Sequence, residues 1–411
     1  MSKDNLPLAG VRVADFTWFG AGPIYTQILA NHGAQVIRVE SQAHIDGLRL
    51  AHPMPEGKYT WNISGYYNNF NASKLSFTLN MKHPKALDVA LRLVSISDIV
   101  AENYTPGTLE KWGLTYEAML AVKPDIILVR EPVQGAGGPH GDFGGFGFVI
   151  APLAGLSHLS GFPHREPVGL GTNYTDYVIN PGHAVIATLA ALHYRNRTGK
   201  GQLIEVAQVE SSVCAVSTAI LDYTANGRVG TREGNRLGHA APHGAYRCAG
   251  DPPEADWCAI AVFTDDEWRA LCRAMGGPQW AQDKRFATLQ GRKENEDELD
   301  QFIEGWTAER SAEEVMETLQ AAGVPAGVVQ SAQDVLENDP HLRARGYYVY
   351  QDHPEAGRTA YDGPGFRLSK TPGRLLSPAP MLGEHTALVC TEVLGMDAEE
   401  MAQLVMESVL F

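Results

Sequence analysis

The feature that most constrains the fold is a regular alternation of strand and helix signals over the first 130 residues. Apolar segments typical of buried strands occur at residues 11–16, 35–40, 98–104 and 125–130. Helix signals lie between them, in a segment opened by Pro23 and at residues 83–95 and 108–122. This alternation predicts a parallel sheet covered on both faces, and right-handed crossovers then give a doubly wound, Rossmann-like α/β layout.

The glycine-rich turn after the first strand excludes one common use of such a layout. It reads "WFGAGP" at residues 18–23 and lacks the G-x-G-x-x-G fingerprint of dinucleotide binding. A nicotinamide-dependent dehydrogenase is therefore not expected. Ligands are still expected at the carboxyl ends of the strands, where doubly wound sheets bind them.

The middle of the chain predicts a second, smaller domain. A Gly/Pro-rich connection at residues 131–175 precedes an Ala/Leu-rich helix at 181–195. Farther on, "WCAIAVF" (257–263) predicts a strand, and Thr264 is placed to cap the helix that follows it, which has acids in its first turn. We assign residues 226–325 to a small α/β domain.

Composition limits the partners of the chain. Its 411 residues carry a net charge of −15, which argues against nucleic acid as a partner. The five cysteines form no C-x-x-C pair, which is typical of a reducing compartment and argues against a metal site or a disulfide framework. No leader-like segment and no run of membrane-spanning length occurs, so we expect a cytoplasmic protein without a membrane partner.

Asp176 is the most prominent candidate for chemistry. It stands alone among small, aromatic and amide residues in "GTNYTDYVINPGH" (171–183), a few residues before a helix. A carboxylate there is either a helix N-cap or turn residue, or a nucleophile on a loop that feeds a site. The residues alone give these two interpretations about equal weight.

Other polar residues offer weaker candidates. Histidines in flexible segments or beside a helix start are His140, His183, His239 and His243. Each is a candidate base, but their spacing gives no metal site, and the chain has no G-x-S-x-G elbow. Arg38 and Lys74 lie near the carboxyl ends of strands, where they would serve a phosphate-bearing ligand or simply face solvent.

Eight segments, in order along nearly the whole chain, resemble family III (CaiB/BaiF-type) CoA-transferases. They are "LAGVRVADFTWFGAGPIYTQILANHGAQVIRVE" (8–40), "NNFNASKLSFTLNMKHP" (68–84), "ENYTPGTLEKWGL" (102–114), "KPDIILV" (123–129), "ALHYRNRTGKGQLIEVAQVES" (191–211), "AAGVPAGVV" (321–329), "DPHLRARGYY" (339–348) and "PAPMLGEHT" (378–386). Each segment alone is weak, but eight in the expected order are specific.

The resemblance implies a particular domain arrangement. Such proteins have a large Rossmann-like domain built from both termini and a small central domain, and two chains interlock as rings. For this chain it implies a CoA-binding large domain at 1–225, the small domain at 226–325 and a C-terminal return to the large domain at 326–411. An interlocked pair would have a large obligate interface.

The resemblance also assigns a role to Asp176. The family's catalytic aspartate lies shortly before "LAAL…R.RTGKGQ", and no other acid occurs between Glu166 and Glu205. The spacing is one residue longer than in the formyl-CoA branch. The "YTDY" context resembles instead a Y-x-D-Y branch that includes subunits of succinyl-CoA:benzylsuccinate CoA-transferase.

Further site residues follow from the resemblance. Those expected to line the CoA site are Arg38, Asn71, Lys74, Asn103 and Tyr104. Other substrate candidates do not come from the resemblance. Arg130 is a candidate partner for a substrate carboxylate, and the backbone N–H groups of Gly137 in "GAGG" (135–138) and His243 in "PHG" (242–244) are candidate oxyanion donors. Two departures stand out: Thr105 replaces a frequent Arg, and "REPVQGAGG" (130–138) replaces the usual strand end.

The activity implied is transfer of CoA from an acyl-CoA donor, such as succinyl-CoA, to a carboxylic acid. It would proceed through an aspartyl anhydride and an aspartyl-CoA thioester, with CoA as substrate and no resident cofactor. One alternative is an α-methylacyl-CoA racemase-type enzyme that pairs Asp176 with His140 or His243. Another is a partner subunit of a heteromeric CoA-transferase, so both homodimer and heterodimer remain open.

Overall fold

The computed structural model describes residues 5–250 and 256–411. Contacts within the chain divide it into two compact units. The larger unit consists of Met1–Ser157, Gly169–Val229 and Leu342–Phe411. The smaller unit consists of His158–Val168 and Gly230–His341.

The larger unit is built on a six-stranded parallel sheet. Its strands are β1 (Arg12–Asp15), β2 (Gln35–Glu40), β3 (Leu75–Thr78), β4 (Ile99–Glu102), β5 (Ile127–Arg130) and β6 (Leu203–Glu205). Their spatial order is β3-β2-β1-β4-β5-β6, and every neighbouring pair is parallel. This is the doubly wound order that the strand–helix alternation predicted.

The sequence did not predict strand β3, because two of its four residues are polar and nothing in the sequence shows that they are buried. Ser76 and Thr78 alternate with Leu75 and Phe77, yet both polar side chains are buried. The Ser76 hydroxyl donates to the Glu40 carboxylate at 2.9 Å, so a buried polar partner replaces an apolar one.

The helices as far as Asn226 include those that cover both faces of this sheet. They are α1 (Ala21–Asn31), α2 (Gly65–Asn71), α3 (Ala86–Ser95), α4 (Thr108–Lys111), α5 (Tyr116–Val122), α6 (Gly147–Leu153), α7 (Leu156–Leu159), α8 (Asn180–Thr198), α9 (Gln208–Val213) and α10 (Ser217–Asn226). The single helix predicted at 108–122 is two helices, because Gly113 adopts a φ of 79° and Thr115 then caps α5.

The apolar periodicity of the helices explains the two cores of this unit. In α3, Val89, Leu93 and Val94 are buried at helical spacing and pack on one sheet face with Val100 and Leu128. The opposite face packs against α1 and α8 through residues such as Leu29 and Ala184. The sheet is therefore rigidly held, and its carboxyl edge is a fixed platform for side chains.

The smaller unit has its own sheet and core. Its strands β7 (His243–Arg247), β8 (Trp257–Ala261) and β9 (Ala326–Val328) pair antiparallel in that order. Its helices are α11 (Asp265–Ala274), α12 (Leu289–Glu294), α13 (Glu296–Thr307) and α14 (Ala312–Ala321). The predicted cap of α11 is confirmed, since Thr264 and Glu267 form a reciprocal capping box.

The C-terminal segment adds α15 (Pro340–Arg345), a hairpin of β10 (Tyr348–His353) and β11 (Gly357–Asp362), α16 (Thr386–Leu388) and α17 (Ala398–Met406). The unit boundaries differ from the sequence-based ones at three places, the smallest of which is that residues 226–229 group with the larger unit. Residues 158–168 and 326–341 group with the smaller unit, whereas the sequence interpretation put them in the large domain. The reason for the difference at 326–341 is that β9 pairs with β8 and does not join the large sheet. Within the described residues no helix is both long and apolar enough to cross a membrane.

Candidate active site

Asp176 lies in the first turn of a long helix and does not cap it. Residues Thr175–Ile179 form a π-helical turn that runs directly into α8, and the Asp176 side chain makes no capping bond to that turn. The residue is only 4% exposed. Its Oδ2 accepts a hydrogen bond of 2.8 Å from the backbone N–H of Gly147, the first residue of α6. The N-cap interpretation of Asp176 is therefore wrong for its own helix.

The surroundings of this carboxylate leave it poorly neutralised. Burial raises the pKa of Asp176 to about 6, against the opposing effect of the Gly147 hydrogen bond. Its Oδ1 is buried and has no hydrogen-bond partner within the described part of the chain. No ion pair among the described residues involves Asp176. Such a carboxylate is more basic than one in water and is still largely ionised at neutral pH.

A cleft of about 250 Å³ opens beside Asp176 at the carboxyl edge of the large sheet. It is lined by Trp18, Phe19, Gly20, Ala21, Asn103, Tyr104, Thr105, Gly145, Phe146, Asp176 and Gln208. The lining comes from the segments that follow β1, β4 and β6, together with the start of α6. This position matches the expectation that ligands gather at the carboxyl ends of the strands.

Asn103 and Tyr104, both expected from the sequence, do line this cleft. The Asn103 amide accepts from the backbone N–H of Trp18 and donates to its carbonyl, each at 2.7 Å. Asn103 thereby fixes the loop that carries Trp18 and Phe19. The Tyr104 ring packs edge-on against Trp18 and Trp112, with centroids 5.9 and 5.4 Å away.

Arg38, Lys74 and Asn71 lie elsewhere than expected, in the interior below this edge. Both cations are buried completely or nearly so. Lys74 Nζ donates to Asp15 at 3.1 Å and to Asn71 at 2.9 Å, and Arg38 is ion-paired with Asp46. In this conformation none of the three reaches solvent, so the geometry does not support their contact with a phosphate-bearing ligand. The sequence indicated charge at these positions but not the carboxylates that would enclose it.

A second cleft at the same edge holds residues that the sequence interpretation did not single out. Its lining includes the rings of Trp18, Tyr104 and Trp112 together with His44 and Lys82. Lys82 is exposed and has no acidic partner among the described residues. It follows β3 directly in "NMKHP", so recognising that strand would have identified it.

The three substrate candidates do not gather at Asp176 within the larger unit. Arg130 lies in an ion pair with Glu102 at 3.3 Å and in another with Glu110, and it does not line the cleft. Gly137 is exposed on the connection after β5. His243 begins β7 in the smaller unit, where it lines a cavity of about 630 Å³ with Arg236.

Glu131 is a buried acid that sequence reasoning missed. It follows β5, it is 0% exposed, and both its carboxyl oxygens lack hydrogen-bond partners within the described residues. Burial raises the pKa of Glu131 well above its ordinary range, and nearby Glu102, Asp15 and Asp176 raise it further. The Gln208 amide donates to its backbone carbonyl at 2.6 Å, which ties Glu131 to the lining of the cleft. The one signal for Glu131 in the sequence was that an acid directly follows a predicted buried strand.

A doubly wound sheet with a buried, weakly partnered carboxylate beside a cleft at its carboxyl edge is the arrangement of an α/β protein that binds a ligand at that edge. Residues 8–386 match the model of CoA-transferase family III, and the chain belongs to that family. It is an enzyme that transfers CoA between an acyl-CoA and a carboxylic acid. The resemblance drawn from the eight sequence segments is thereby confirmed.

Individual relatives align with this chain over nearly their whole length. A succinyl-CoA–D-citramalate CoA-transferase of Chloroflexus aurantiacus is 34% identical over 399 residues, which cover 97% of this chain and 96% of that protein. A succinyl-CoA–L-malate CoA-transferase beta subunit of the same organism is 33% identical, with 97% of each chain covered. The crystal structure of a CaiB/BaiF family protein from Brucella suis has a TM-score of 0.85 and 31% identity, covering 95% of this chain and 100% of that one.

Proposed function

We propose that Asp176 is the nucleophile that carries CoA during the transfer. The observation behind this proposal is that Asp176 is buried at a cleft with a raised pKa, and that among the described residues one of its oxygens has no hydrogen-bond partner and no cation is ion-paired with it. Water around a carboxylate lowers its nucleophilicity and hydrolyses its activated esters, so a shielded carboxylate suits covalent acyl chemistry.

The proposed reaction has two half-reactions, and the second repeats the steps of the first in reverse with the acceptor acid. The free energy of the thioester bond is therefore conserved. An Asp176 oxygen attacks the donor thioester carbonyl, the C–S bond breaks, and a mixed anhydride and CoA thiolate form. The thiolate then attacks the Asp176 carbonyl carbon, which releases the donor acid and leaves an aspartyl-CoA thioester. The carboxylate of the acceptor acid attacks this thioester, and the same steps in reverse release the acceptor as its CoA ester and restore Asp176.

The surroundings of Asp176 support these steps in two ways. The Gly147 N–H is already aimed at Oδ2 and can stabilise the negative charge that develops on this oxygen. Holding thiolate and anhydride together in a small cleft contributes orientation, which lowers such barriers by roughly 7–11 kcal/mol. The amides of Gly137 and of residues 242–244 remain predicted oxyanion donors.

We propose that the nucleotide end of CoA lies against the second cleft, a shallow one of about 40 Å³. Its three aromatic rings offer a stacking surface for a purine, and exposed Lys82 offers a charge for a phosphate. Trp18 and Tyr104 line both clefts, so a single CoA molecule would run from Lys82 to Asp176. We propose Lys82 in place of Arg38 and Lys74 as the phosphate contact, because it is accessible.

We also propose that the chain works as a dimer with a second copy or a homologous subunit. Support comes from apolar side chains that face outward on α8 and α10, among them Ile186 at 70% and Leu221 at 64% exposed. One relative is named as a subunit of a two-component transferase. An interlocked arrangement and a cytoplasmic location remain predictions.

The residues that line the cleft favour CoA transfer over racemisation as the proposed function. A racemase needs a second acid–base group opposite Asp176, but no histidine lines the cleft within the larger unit. His140 is exposed on the connection after β5, where its ring packs on Phe143. Deuterium exchange at the α-carbon of an acyl-CoA, without any acid present, would revive the racemase alternative.

The test is a transfer assay on the purified chain. Succinyl-CoA is the first donor to assay, because it appears in the names of the relatives, with aromatic and dicarboxylic acids as acceptors. Asp176→Asn is expected to lower transfer at least about a thousandfold, because the amide cannot form the anhydride. Asp266→Asn, at an exposed acid in α11, is the matched control. Transfer at an undiminished rate by the Asp176 variant would contradict the proposal.

A further inference from the structure

The cleft beside Asp176 has an aromatic wall. The Phe19 and Phe146 rings lie nearly parallel, 13° apart, with centroids separated by 6.2 Å. Phe148 packs edge-on against Phe146 at the same distance. These rings are 44%, 49% and 65% exposed. Large aromatic surfaces left in solvent beside a reactive group are typical of a surface that an apolar ligand covers.

The same cleft contains no positive charge. None of its lining residues is Lys, Arg or His, and Asp176 is its only carboxylate. Arg130, the cation that the sequence suggested for a substrate carboxylate, is held by Glu102 and Glu110. A dicarboxylic substrate would therefore place its second carboxylate in a partly dry space next to Asp176 without a partner, which is costly.

The volume sets the size of the ligand. About 250 Å³ is less than the roughly 300–1,000 Å³ of cavities that hold drug-sized ligands. One ring with a short side chain fits this space better than a fused ring system. Gly20 lines the cleft next to Asp176, where a Cβ would lie 3.3 Å from the Asp176 Cβ and 3.7 Å from its Oδ2, so the absence of a side chain leaves room beside the carboxylate.

We propose that the acid exchanged at Asp176 is a monocarboxylic acid with a single aromatic ring, which packs against Phe19 and Phe146. This inference rests on the proposed function, since it assumes that the acyl group lies in the cleft during attack by Asp176. The relatives named above carry dicarboxylic substrates in their names, so the inference separates this chain from them. The acyl-CoA consumed or produced is then an aryl-acyl-CoA, which places the enzyme beside reactions that activate or degrade aromatic acids.

The test measures the first half-reaction, so that no acceptor is needed. The chain is mixed with phenylacetyl-CoA, acetyl-CoA or succinyl-CoA, quenched with borohydride, and the fraction modified is followed by mass spectrometry. We expect phenylacetyl-CoA to modify the chain at least tenfold faster than succinyl-CoA. Modification by succinyl-CoA as fast or faster would overturn this inference and leave the proposed function standing. No modification by any of the three would overturn both.

Two sets of variants sharpen the result. Phe146→Leu is expected to slow phenylacetyl-CoA about 2- to 10-fold relative to acetyl-CoA, because it removes an aromatic partner of the ring. Phe366→Leu, at an exposed ring that stacks on His32, is the matched control. Thr105→Lys places a cation in the lining and is expected to raise the succinyl-CoA rate relative to phenylacetyl-CoA. Unchanged ratios in both cleft variants would show that the acyl group does not contact this wall.

Discussion

Two groups of buried charged residues lie near the carboxyl edge of the same sheet. The residues of one group form ion pairs with one another, and those of the other do not. The paired-charge cluster comprises Asp15, Arg38, Glu40, Asp46, Arg49 and Lys74. Its members neutralise one another, as where the Arg49 guanidinium meets Glu40 at 2.8 Å. The acid pair, Glu131 and Asp176, is equally buried but has no cation in contact. The two groups share burial and differ in pairing.

The consequence of this difference appears in the pKa values. Burial alone would raise the pKa of Glu40, but Arg49 and Arg38 lower it to about 2. At Asp176 burial is opposed only by hydrogen bonds, and the pKa rises to about 6. Pairing thus keeps the charge of Glu40, although burial still raises the pKa of Asp46 against its ion pair with Arg38. A carboxyl group without any ion pair is costly to the fold and suits a role in chemistry.

The largest expected effect comes from breaking a pair in the cluster. Lys74→Met removes the cation 3.1 Å from Asp15 and leaves that buried carboxylate with only the more distant Arg38, at 3.9 Å, as an ion-pair partner. We expect a loss of about 3–5 kcal/mol in the free energy of unfolding, measured by urea denaturation. Lys111→Met, at an exposed lysine, is expected to change it by less than about 0.5 kcal/mol. Equal effects of the two substitutions would remove the distinction between the groups.

The next effect has the opposite sign, because Asp176 is unpaired. Its folded-state pKa of about 6 lies above the ordinary 3.8, so its destabilising effect is absent at low pH and complete above about pH 7. Asp176→Asn keeps an acceptor for Gly147 and removes the charge. At pH 8 we expect a gain of about 2–3 kcal/mol in the free energy of unfolding, which shrinks toward pH 5. A loss of stability at pH 8 would contradict this interpretation.

Glu131 is expected to show the same kind of effect, graded with pH. Its raised pKa means that stability is full below the ordinary glutamate pKa and falls as pH rises toward the folded-state value. The advantage of Glu131→Gln over the native chain should therefore widen by up to about 1.4 kcal/mol per pH unit above pH 5. Thermal denaturation from pH 5 to pH 8 measures this slope. Glu56→Gln, at an exposed turn, should show none.

The smallest effect concerns the reaction rate. Because Asp176 must be ionised to attack, the rate of the first half-reaction should fall about fivefold between pH 6 and pH 5. Rapid-quench measurements with one acyl-CoA at limiting concentration give this profile. A midpoint near pH 4 would mean that Asp176 is solvated or paired during catalysis.

The sequence predicted the sheet and the position of Asp176 better than it predicted the ion pairs of the paired-charge cluster. The strand–helix alternation predicted the doubly wound sheet. The position of Asp176 before "LAALHYRNRTGKGQ" made it the candidate nucleophile, and that role stays a prediction. Arg38 and Lys74 looked like free cations, because nothing in their local sequence reveals Asp15 or Asp46. Lys82 was missed because the polar residues of β3 hid that strand. Glu131 was missed because burial without partners is a tertiary property.

The most direct test of the role of Asp176 is to identify the modified residue. The chain is incubated with an acyl-CoA, treated with sodium borohydride, digested and mapped by tandem mass spectrometry. An aspartyl-CoA thioester predicts reduction of the Asp176 side chain to an alcohol, dependent on acyl-CoA and absent from Asp176→Asn. Modification at another residue, or an unmodified Asp176 in an enzyme that turns over fully, would contradict the covalent role.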